Sequence, residues 1–353
     1  MWLYVACAVA VPVSLILAAL TAEPTLVFVA SCVAIVPLAG LMGRATEELA
    51  KHLGAHIGGL LNASFGNATE LIIAVFALRE ELFGVVKATI TGSILGNLLL
   101  VFGVACIAGG WRREKQTFSP VAAGANAAML LVAVIALLVP SLFAHAARPP
   151  ITSGHALERL SLWVAVVLIA SYGLSLLFSL RTHRPAFSGF HEFEPPQWKM
   201  AFAAGMLLLA TFLVAVESEI LVKAVEPLLA RGHLSELFVG VIIIPVIGNA
   251  AEHAGAVLMA LRDKMDIAIG IAVGSSTQIA LFVAPALVFI AYALGHPMTY
   301  TFAGSEVLAV TASVAIVNFI AQDGETNWFE GVQLVAAYAI IALAFLLLPG
   351  IPA

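Results

Sequence analysis

Charged residues are scarce in this chain of 353 residues, making up 10% of it, whereas apolar residues make up 62%. A soluble domain typically carries about 25% charged residues, so this composition argues against a large soluble core. The mean hydropathy is +1.06. The net charge of −5 gives no reason to expect a nucleic-acid partner. The composition predicts an all-α polytopic membrane protein whose surface contacts the lipid bilayer.

Sequence motifs of enzymes and of zinc sites are also missing. The three cysteines, Cys7, Cys32 and Cys106, fall in apolar stretches without CxxC spacing, and we interpret them as small core residues. No histidine–cysteine set has zinc spacing. Glu252-His253 lacks the HExxH pattern, Ser275 lacks a nucleophile elbow, and no Walker-type loop is present. We therefore expect neither an enzyme nor a resident cofactor.

Long apolar runs dominate the chain instead. A membrane span needs roughly 20 apolar residues, and the pattern predicts eleven spans: 3–21, 25–43, 56–78, 83–109, 119–144, 157–180, 198–223, 235–261, 266–294, 303–321 and 327–349. The N-terminus lacks a basic n-region, so we expect the first stretch to be retained rather than cleaved. Lys and Arg residues number ten on the N-terminal face and six on the other, which predicts a cytoplasmic N-terminus.

One polar motif occurs twice in this apolar background. Residues 66–70, Gly-Asn-Ala-Thr-Glu, return as Gly-Asn-Ala-Ala-Glu at 248–252, and the pair Gly92-Ser93 returns as Gly274-Ser275. Both repeats have the same offset of 182 residues. The chain therefore contains two related halves.

The two halves predict an inverted-topology repeat. Each half holds five predicted spans, an odd number, so the second half enters the membrane from the opposite side. The expected domains are an extra N-terminal helix (1–22), a first repeat (23–182), a polar cytoplasmic linker (183–199) and a second repeat (200–353). Within the linker, His191, Glu192 and Glu194 are either a cation-sensing regulatory segment or part of an ordinary solvated connection.

Glu70 and Glu252 are the central candidate site residues. A charged carboxylate at the centre of a membrane helix costs about 2.5–3.5 kcal/mol on insertion scales, so each glutamate should face a polar cavity, an ion or a proton. Gly66 and Gly248 precede them by four residues and permit an interrupted helix. The repeated motif also contains an asparagine in each half, Asn67 and Asn249. Each precedes its glutamate by three residues and would share its face in a helix.

The spans after each motif supply more oxygen ligands. Ser93 and Asn97 are four residues apart, and Ser275 and Gln278 are three apart, so each pair shares a helix face. Such oxygen-rich sites suit Ca²⁺, and less compactly Mn²⁺ or Mg²⁺. Two glutamates carry a charge of −2, which one divalent cation or two protons neutralise equally well. That equivalence is a physical basis for exchange.

Four further residues are secondary candidates. We favour Glu219 over Glu217 for a cation access path, because Lys223 gives it polar company. His253 follows Glu252 and is considered either for a proton path, since histidine titrates near neutrality, or as a packed, hydrogen-bonded residue. Glu306, at the start of the tenth predicted span, is expected at the membrane interface.

The motifs together resemble the cation/proton exchanger family of the cation/Ca²⁺ antiporter superfamily. The segments that carry the resemblance are 44–50 (RATEELA), 61–70 (LNASFGNATE), 92–98 (GSILGNL), 244–253 (IPVIGNAAEH), 274–278 (GSSTQ) and 323–328 (DGETNW). The resemblance implies a fold of eleven spans that exchanges Ca²⁺ for protons. It also implies that Glu70 and Glu252 bind both ions and that Asn67, Asn249, Ser93, Asn97, Ser275 and Gln278 line the pathway.

Two alternatives to this function stay open from the residues. A Na⁺/Ca²⁺ exchanger of the same superfamily would gain from aspartates where Asn97 and Gln278 stand, and a passive cation channel normally builds its pore from oligomer symmetry. A homo-oligomer is not decided by the sequence. Because the eukaryotic relatives' long acidic linker is reduced here to residues 191–194, the resemblance favours a prokaryotic protein of the plasma (inner) membrane.

Overall fold

The computed structural model describes residues 2–21, 23–146, 154–183, 195–231 and 234–347, most of them in helices. The helices are α1 (Trp2–Leu20), α2 (Pro24–Phe65), α3 (Ala68–Arg79), α4 (Phe83–Leu95), α5 (Phe102–Gly110), α6 (Pro120–Ala146), α7 (Gly154–Leu177), α8 (Met200–Leu229), α9 (Glu236–Phe238), α10 (Ile244–Gly248), α11 (Ala250–Leu261), α12 (Met265–Gln278), α13 (Ala284–Ala293), α14 (Gly304–Ile320) and α15 (Trp328–Leu347). Two short strands, β1 (Gln116–Thr117) and β2 (Glu325–Thr326), pair antiparallel. The predicted all-α class is confirmed.

Most of these helices are long and apolar enough to cross a membrane. Among the described residues eight helices meet that condition, and nine do if the bent pair Glu236–Gly248 and Ala250–Leu261 forms one span, while Gly304–Ile320 is apolar but shorter. The polytopic membrane class is confirmed. The count of eleven spans and the inverted repeat stay predictions.

The predicted second and third spans, 25–43 and 56–78, differ from the structure. The helix α2 continues past residue 43 and changes direction only at Gly54, whose φ of 77° is a conformation that favours glycine. The chain then folds back closely, since a Cβ on Gly58 would approach the backbone oxygen of Ala50 to 2.6 Å. The predicted third span is consequently divided between the end of α2 and α3.

Within the described residues, four π-helical turns interrupt or extend the long helices, at Gly96–Val101, Phe178–Thr182, Val239–Ile243 and Ile279–Val283. Two of them lie inside continuous spans, Phe83–Gly110 and Met265–Ala293. In both spans the π turn directly follows the helix that carries a repeated Gly-Ser pair, which is α4 in one and α12 in the other. Single π turns are frequent at functional sites.

The first helix, α1, which we predict to lie outside the repeat, packs against α2 and α8. Ser14 on α1 donates a hydrogen bond to Glu217 Oε2 on α8 at 2.6 Å. The side chain of Glu217 is fully buried, and its second oxygen has no hydrogen-bond partner among the described residues. A polar contact therefore fixes α1 to a helix of the predicted second half.

The predicted linker 183–199 is attached to α2 at its second end. Glu48 Oε2 accepts hydrogen bonds from the backbone N–H groups of Gln197 at 2.6 Å and Trp198 at 2.8 Å. Lys51 pairs with the other oxygen of Glu48 at 3.0 Å. The candidate regulatory residues His191, Glu192 and Glu194 lie outside the described residues, so that role stays a prediction.

Candidate cation and proton site

Both copies of the repeated motif lie where a helix is interrupted. The helix α3 begins at Ala68 directly after Asn67, and α11 begins at Ala250 directly after Asn249. The second interruption bends the chain by 60°. The interrupted helices that the motif glycines predict are therefore present in both halves, and each places its glutamate in the first turn of a helix, where the helix dipole favours negative charge.

One hydrogen-bonded network joins the first motif to the second half of the chain. Asn67 Nδ2 donates to Gln278 Oε1 at 2.7 Å. Ser275 Oγ lies 2.8 Å from Asn67 Oδ1 and 2.8 Å from Glu252 Oε2. The network therefore runs from Gln278 through Asn67 and Ser275 to the Glu252 carboxyl group, and it uses both polar atoms of the Asn67 amide.

A second network joins the second motif to the first half. Asn249 Nδ2 donates to Ser93 Oγ at 3.1 Å and to the backbone oxygen of Pro245 at 3.0 Å. The offset of 182 residues exchanges this Asn249–Ser93 contact with the Asn67–Ser275 contact. The motif asparagine of each half thus bonds to the serine of the other half.

Glu70 differs from Glu252 in its surroundings. Its side chain is 4% exposed, and neither of its carboxyl oxygens has a hydrogen-bond partner among the described residues. Gly248 packs next to it, because a Cβ there would lie 3.4 Å from Glu70 Oε1. Glu252 is partly exposed and close enough for the two carboxyl charges to interact. The pair therefore has one dry, unbonded member and one bonded, accessible member.

Asn249 Oδ1 at the site has no hydrogen-bond partner among the described residues, and neither has Asn97 Nδ2 in the π turn that follows α4. Leaving a buried polar group unsatisfied costs about 1–3 kcal/mol, so such a cluster needs a physical reason. Within the described part of the chain no three His, Cys, Asp or Glu side chains form a metal cluster. A cation here would therefore bind carboxylate and amide oxygens, as Ca²⁺ prefers.

The structure thus brings eight predicted site residues into these contacts: Glu70, Glu252, Asn67, Asn249, Ser93, Ser275, Gln278 and Gly248. Gly66 lies in the turn between α2 and α3. Asn97 is buried at the start of the π turn that follows α4.

The secondary candidates are placed differently from one another. Glu219 is about half exposed and pairs with Lys223 at 2.6 Å, whereas Glu217 is fully buried. The neighbouring Lys223, which favoured Glu219 in the prediction, therefore forms a surface ion pair with it. His253 is partly buried, and its Nε2 has no partner among the described residues, so it is packed but not hydrogen-bonded at that atom. The access and proton-path roles of Glu219 and His253 stay predictions.

The expectation for Glu306 is wrong. Its side chain is only 3% exposed, and its two oxygens accept hydrogen bonds from Thr91 Oγ1 at 3.0 Å and from the backbone N–H of Ala303 at 2.9 Å. Glu306 begins α14, but α14 packs against α4, which covers that end. The position of a residue along a predicted span does not reveal that another helix packs over it.

Fold and site define a polytopic helical membrane protein with a buried, oxygen-rich site between two interrupted helices. The family model described as sodium/calcium exchanger protein matches residues 23–181 and 202–347. The chain belongs to this family, as the resemblance of its motifs implies.

Individual relatives match over most of their length. The chain is 48% identical over 343 residues to a Ca²⁺/H⁺ antiporter of Synechocystis sp., covering 92% of each chain. It is 43% identical to the Ca²⁺/H⁺ antiporter ChaA of Bacillus subtilis, covering 98% of this chain and 99% of that protein. The solved structure of native YfkE superposes with a TM-score of 0.85 at 40% identity, covering 98% of this chain and 100% of the other.

Proposed function

We propose that this protein is a secondary antiporter that exchanges Ca²⁺ for protons by alternating access, with Glu70 and Glu252 as shared cation and proton sites. The observation that carries the proposal is the pair of neighbouring carboxyl groups in membrane-spanning helices, one of which has both oxygens buried and without a hydrogen-bond partner among the described residues. The two antiporter relatives, from Synechocystis sp. and Bacillus subtilis, support the same pair of substrates.

The charge of the pair couples the two ions. Two neighbouring ionised carboxylates, one of them fully buried, repel each other and lose part of their hydration, which costs several kcal/mol in order of magnitude. Two protons or one Ca²⁺ cancel the charge of −2 in Glu70 and Glu252, whereas the empty site keeps it. The protein can therefore change its access from one side of the membrane to the other with either two protons or one Ca²⁺ bound. The charged, empty site opposes the same change, so transport is an exchange.

The hydroxyl group of Ser275 fits the proton-loaded state. It holds a single proton but lies at hydrogen-bond distance from two oxygens, Asn67 Oδ1 and Glu252 Oε2. Ser275 is in position to donate its proton to either oxygen, and the Asn67 amide oxygen can only accept. Both contacts are hydrogen bonds at the same time only when Glu252 carries a proton and donates it to Ser275.

A cation would meet the oxygens that the networks leave unused. These are the two oxygens of Glu70, the Asn249 Oδ1 atom and the partly exposed carboxyl group of Glu252. All are hard oxygen ligands of the kind that Ca²⁺ binds at 2.3–2.6 Å in proteins. Release of the proton from Glu252 frees its Oε2 atom from donation to Ser275, so cation binding and proton loss occur at the same atoms.

The finer features of the proposal follow from the sequence. The distribution of Lys and Arg supports a cytoplasmic N-terminus in a prokaryotic inner membrane. The two segments that match the family model, 23–181 and 202–347, support the division into two repeats. We expect no resident cofactor, no nucleic-acid partner and no enzymatic activity, since Ca²⁺ and H⁺ are the substrates.

Transport in proteoliposomes tests the proposal. An imposed pH gradient should drive Ca²⁺ uptake without ATP in wild-type protein. Glu70→Gln and Glu252→Gln should each lower the rate by roughly 10- to 100-fold, because each removes a charged ligand worth about 1.5–3 kcal/mol. Glu23→Gln is the matched control, as it neutralises a partly exposed carboxylate that pairs with Arg231 outside both networks, and it should leave the rate near that of wild type.

Three outcomes would contradict the proposal. Gradient-driven exchange that survives in both glutamine variants would exclude the glutamates as the shared site. Uptake that follows a Na⁺ gradient and ignores the pH gradient would identify a Na⁺/Ca²⁺ exchanger. Flux that does not saturate and needs no counter-gradient would identify a channel. Parallel competition by Mn²⁺ and Na⁺ would measure cation preference in the same vesicles.

A further inference from the structure

Two helices that the sequence offset relates differ in their exposure. After Asp266, whose counterpart Gly84 is also exposed, the partly exposed positions on α12 are Ile267, Gly270, Ile271, Gly274 and Gln278, and they form one stripe that ends at the site. The offset of 182 residues takes these five to Val85, Ala88, Thr89, Gly92 and Gly96 on the α4 side, and all five are buried. One helix is open along the face on which its counterpart is closed.

The two stripes begin at opposite faces of the membrane. The span Phe83–Gly110 starts at the turn Glu80–Leu82. At the other end of that span, Arg113 Nε pairs with Asp263 Oδ1 at 3.2 Å, and Asp263 lies in the turn that precedes α12. We name these two sides the Glu81 face and the Arg113 face.

The exposed α12 stripe therefore joins the Arg113 face to the site. It ends at Gln278, which is bonded to Asn67, and Glu252 on the neighbouring helix α11 is also partly exposed. On the Glu81 face, Val85 and Thr89 are 1% and 4% exposed. We infer from this difference that the site is reached from the Arg113 face along the α12 stripe and is closed from the Glu81 face, where the equivalent positions are buried.

Glycines make the closed contact on the Glu81 face. A Cβ on Gly92 would overlap the carbonyl oxygen of Val241 and would lie 2.6 Å from Pro245 Cγ. A Cβ on Gly240 would overlap Ala88 Cβ and would lie 3.2 Å from the backbone oxygen of Val85. The opposing atoms are mainly backbone and a proline ring, which cannot rotate away, so a methyl group at either position forces the helices apart.

Gly274, the counterpart of Gly92 in the second half, is in a different situation. A Cβ there would meet no atom within 4 Å, since its side of the site is open. We propose that Gly92 and Gly240 form the seal that closes the Glu81 face, and that Gly274 takes part in the corresponding seal when the Arg113 face closes. This inference rests on the alternating access of the proposed function and assigns the residues that perform it.

The proposal makes opposite predictions for one methyl group added at equivalent positions. Gly92→Ala disfavours the state of this structure and shifts the protein towards opening on the Glu81 face. Gly274→Ala fits this state and disfavours closure of the Arg113 face. Both variants slow a transporter that must visit both states, so the direction of the conformational shift is the diagnostic measurement.

Two cysteine reporters measure the direction of the conformational shift, and they need no transport assay. In a background without Cys7, Cys32 and Cys106, Thr89→Cys and Ile271→Cys place equivalent thiols on the Glu81 and Arg113 sides. Purified protein is treated with a hydrophilic maleimide. Without a glycine change, Ile271→Cys should react much faster than Thr89→Cys, because the first position is partly exposed and the second is buried.

Gly92→Ala should raise the labelling rate of Thr89→Cys by about tenfold and lower that of Ile271→Cys, a shift in the range that overpacking by one methyl group produces. Gly274→Ala should leave Thr89→Cys slow. Gly124→Ala on α6, where an added Cβ meets nothing within 4 Å, is the matched helical control. If Gly92→Ala fails to fold, Gly240→Ala tests the same contact from its other side.

The proposal is overturned if Gly92→Ala or Gly240→Ala elutes as folded protein and labels like the control at both reporters, or if Gly274→Ala opens the Glu81 face as well. The same measurement separates this inference from the proposed function. If labelling of the glycine variants shifts as described but wild-type protein shows no pH-driven Ca²⁺ uptake, the glycine seal is supported and the proposed antiport is refuted. If wild-type uptake is normal but labelling of the glycine variants does not shift, the antiport is supported and the glycine seal is refuted.

Discussion

Ser275→Ala is the substitution that most directly tests the network that joins Gln278, Asn67, Ser275 and Glu252. Ser275 Oγ is 2.8 Å from both Asn67 Oδ1 and Glu252 Oε2, and Ser275 is 5% exposed, so water cannot easily replace it. Each neutral hydrogen bond contributes about 0.5–1.5 kcal/mol. The loss of both contacts should therefore cost about 2 kcal/mol, which corresponds to roughly a 30-fold lower exchange rate.

The equivalent change in the other half should cost less. Ser93→Ala removes one contact, at 3.1 Å, and Asn249 Nδ2 keeps its bond to the Pro245 oxygen at 3.0 Å. We expect a decrease of only about two- to fivefold, since a single hydrogen bond with a remaining partner is lost. If Ser93→Ala and Ser275→Ala lower the exchange rate equally, the difference between the two networks does not affect transport.

Initial rates of Ca²⁺ uptake driven by a pH gradient give the comparison, with the amount of reconstituted protein measured in each sample. Ser276→Ala is the internal control. Ser276 is fully buried one residue away, but its hydroxyl group bonds to the Ala272 carbonyl of its own helix at 3.0 Å. A loss in Ser276→Ala as large as that in Ser275→Ala would refute the reasoning, because it would show that any missing hydroxyl in α12 impairs transport.

Two further predictions concern stability, measured as the Tm of purified protein in detergent. Ser14→Ala should destabilise the fold by about 1–3 kcal/mol, because it leaves the buried Glu217 carboxyl group without a hydrogen-bond partner. Gly331→Ala should destabilise it by about 1–3 kcal/mol, because the added Cβ would lie 2.5 Å from the Gly103 oxygen where α15 crosses α5.

Both stability predictions have a matched control. Lys115→Ala removes an exposed ion pair with Glu325, whose hydrogen bond raises the pKa of Lys115, and exposed pairs contribute little, so Tm should not change. Gly173→Ala adds a Cβ that meets nothing within 4 Å. A Tm for Ser14→Ala or Gly331→Ala that matches its control would show that the contact does not stabilise the fold.

The sequence predicts the elements of this fold better than their contacts. Apolar runs of about 20 residues mark membrane helices because the bilayer demands them, and Gly66 and Gly248 mark the interruptions. The constant offset of 182 residues is enough to relate the two motifs to each other. The bend at Gly54 carries a weaker signal, since a single glycine is common in such helices.

Several polar residues gain their environment only through tertiary packing. Glu48, Glu217 and Glu306 are each 3% exposed or less, although each stands near the end of an apolar run, where solvent or the interface is the usual expectation. Glu48 is covered by the chain before α8, Glu217 by α1 and Glu306 by α4. Their periodicity carries no signal of these partners, because the partners are more than 100 residues away.

The two halves are related in sequence but are not equivalent at the site. Gln278 binds Asn67, whereas the counterpart of Gln278 is Gly96, which has no side chain to bind Asn249. Asn249 Nδ2 donates to the Pro245 oxygen and to Ser93 Oγ, whereas Asn249 Oδ1 has no partner in the described part of the chain. The amide of the first motif is thus used for structure, while the amide of the second motif has an oxygen for a ligand. Glu70 also has no hydrogen-bond partner among the described residues and complements that oxygen, so under the proposed function we expect cation selection to depend on Glu70 and Asn249, and the ordering of the Glu252 carboxyl group to depend on Ser275.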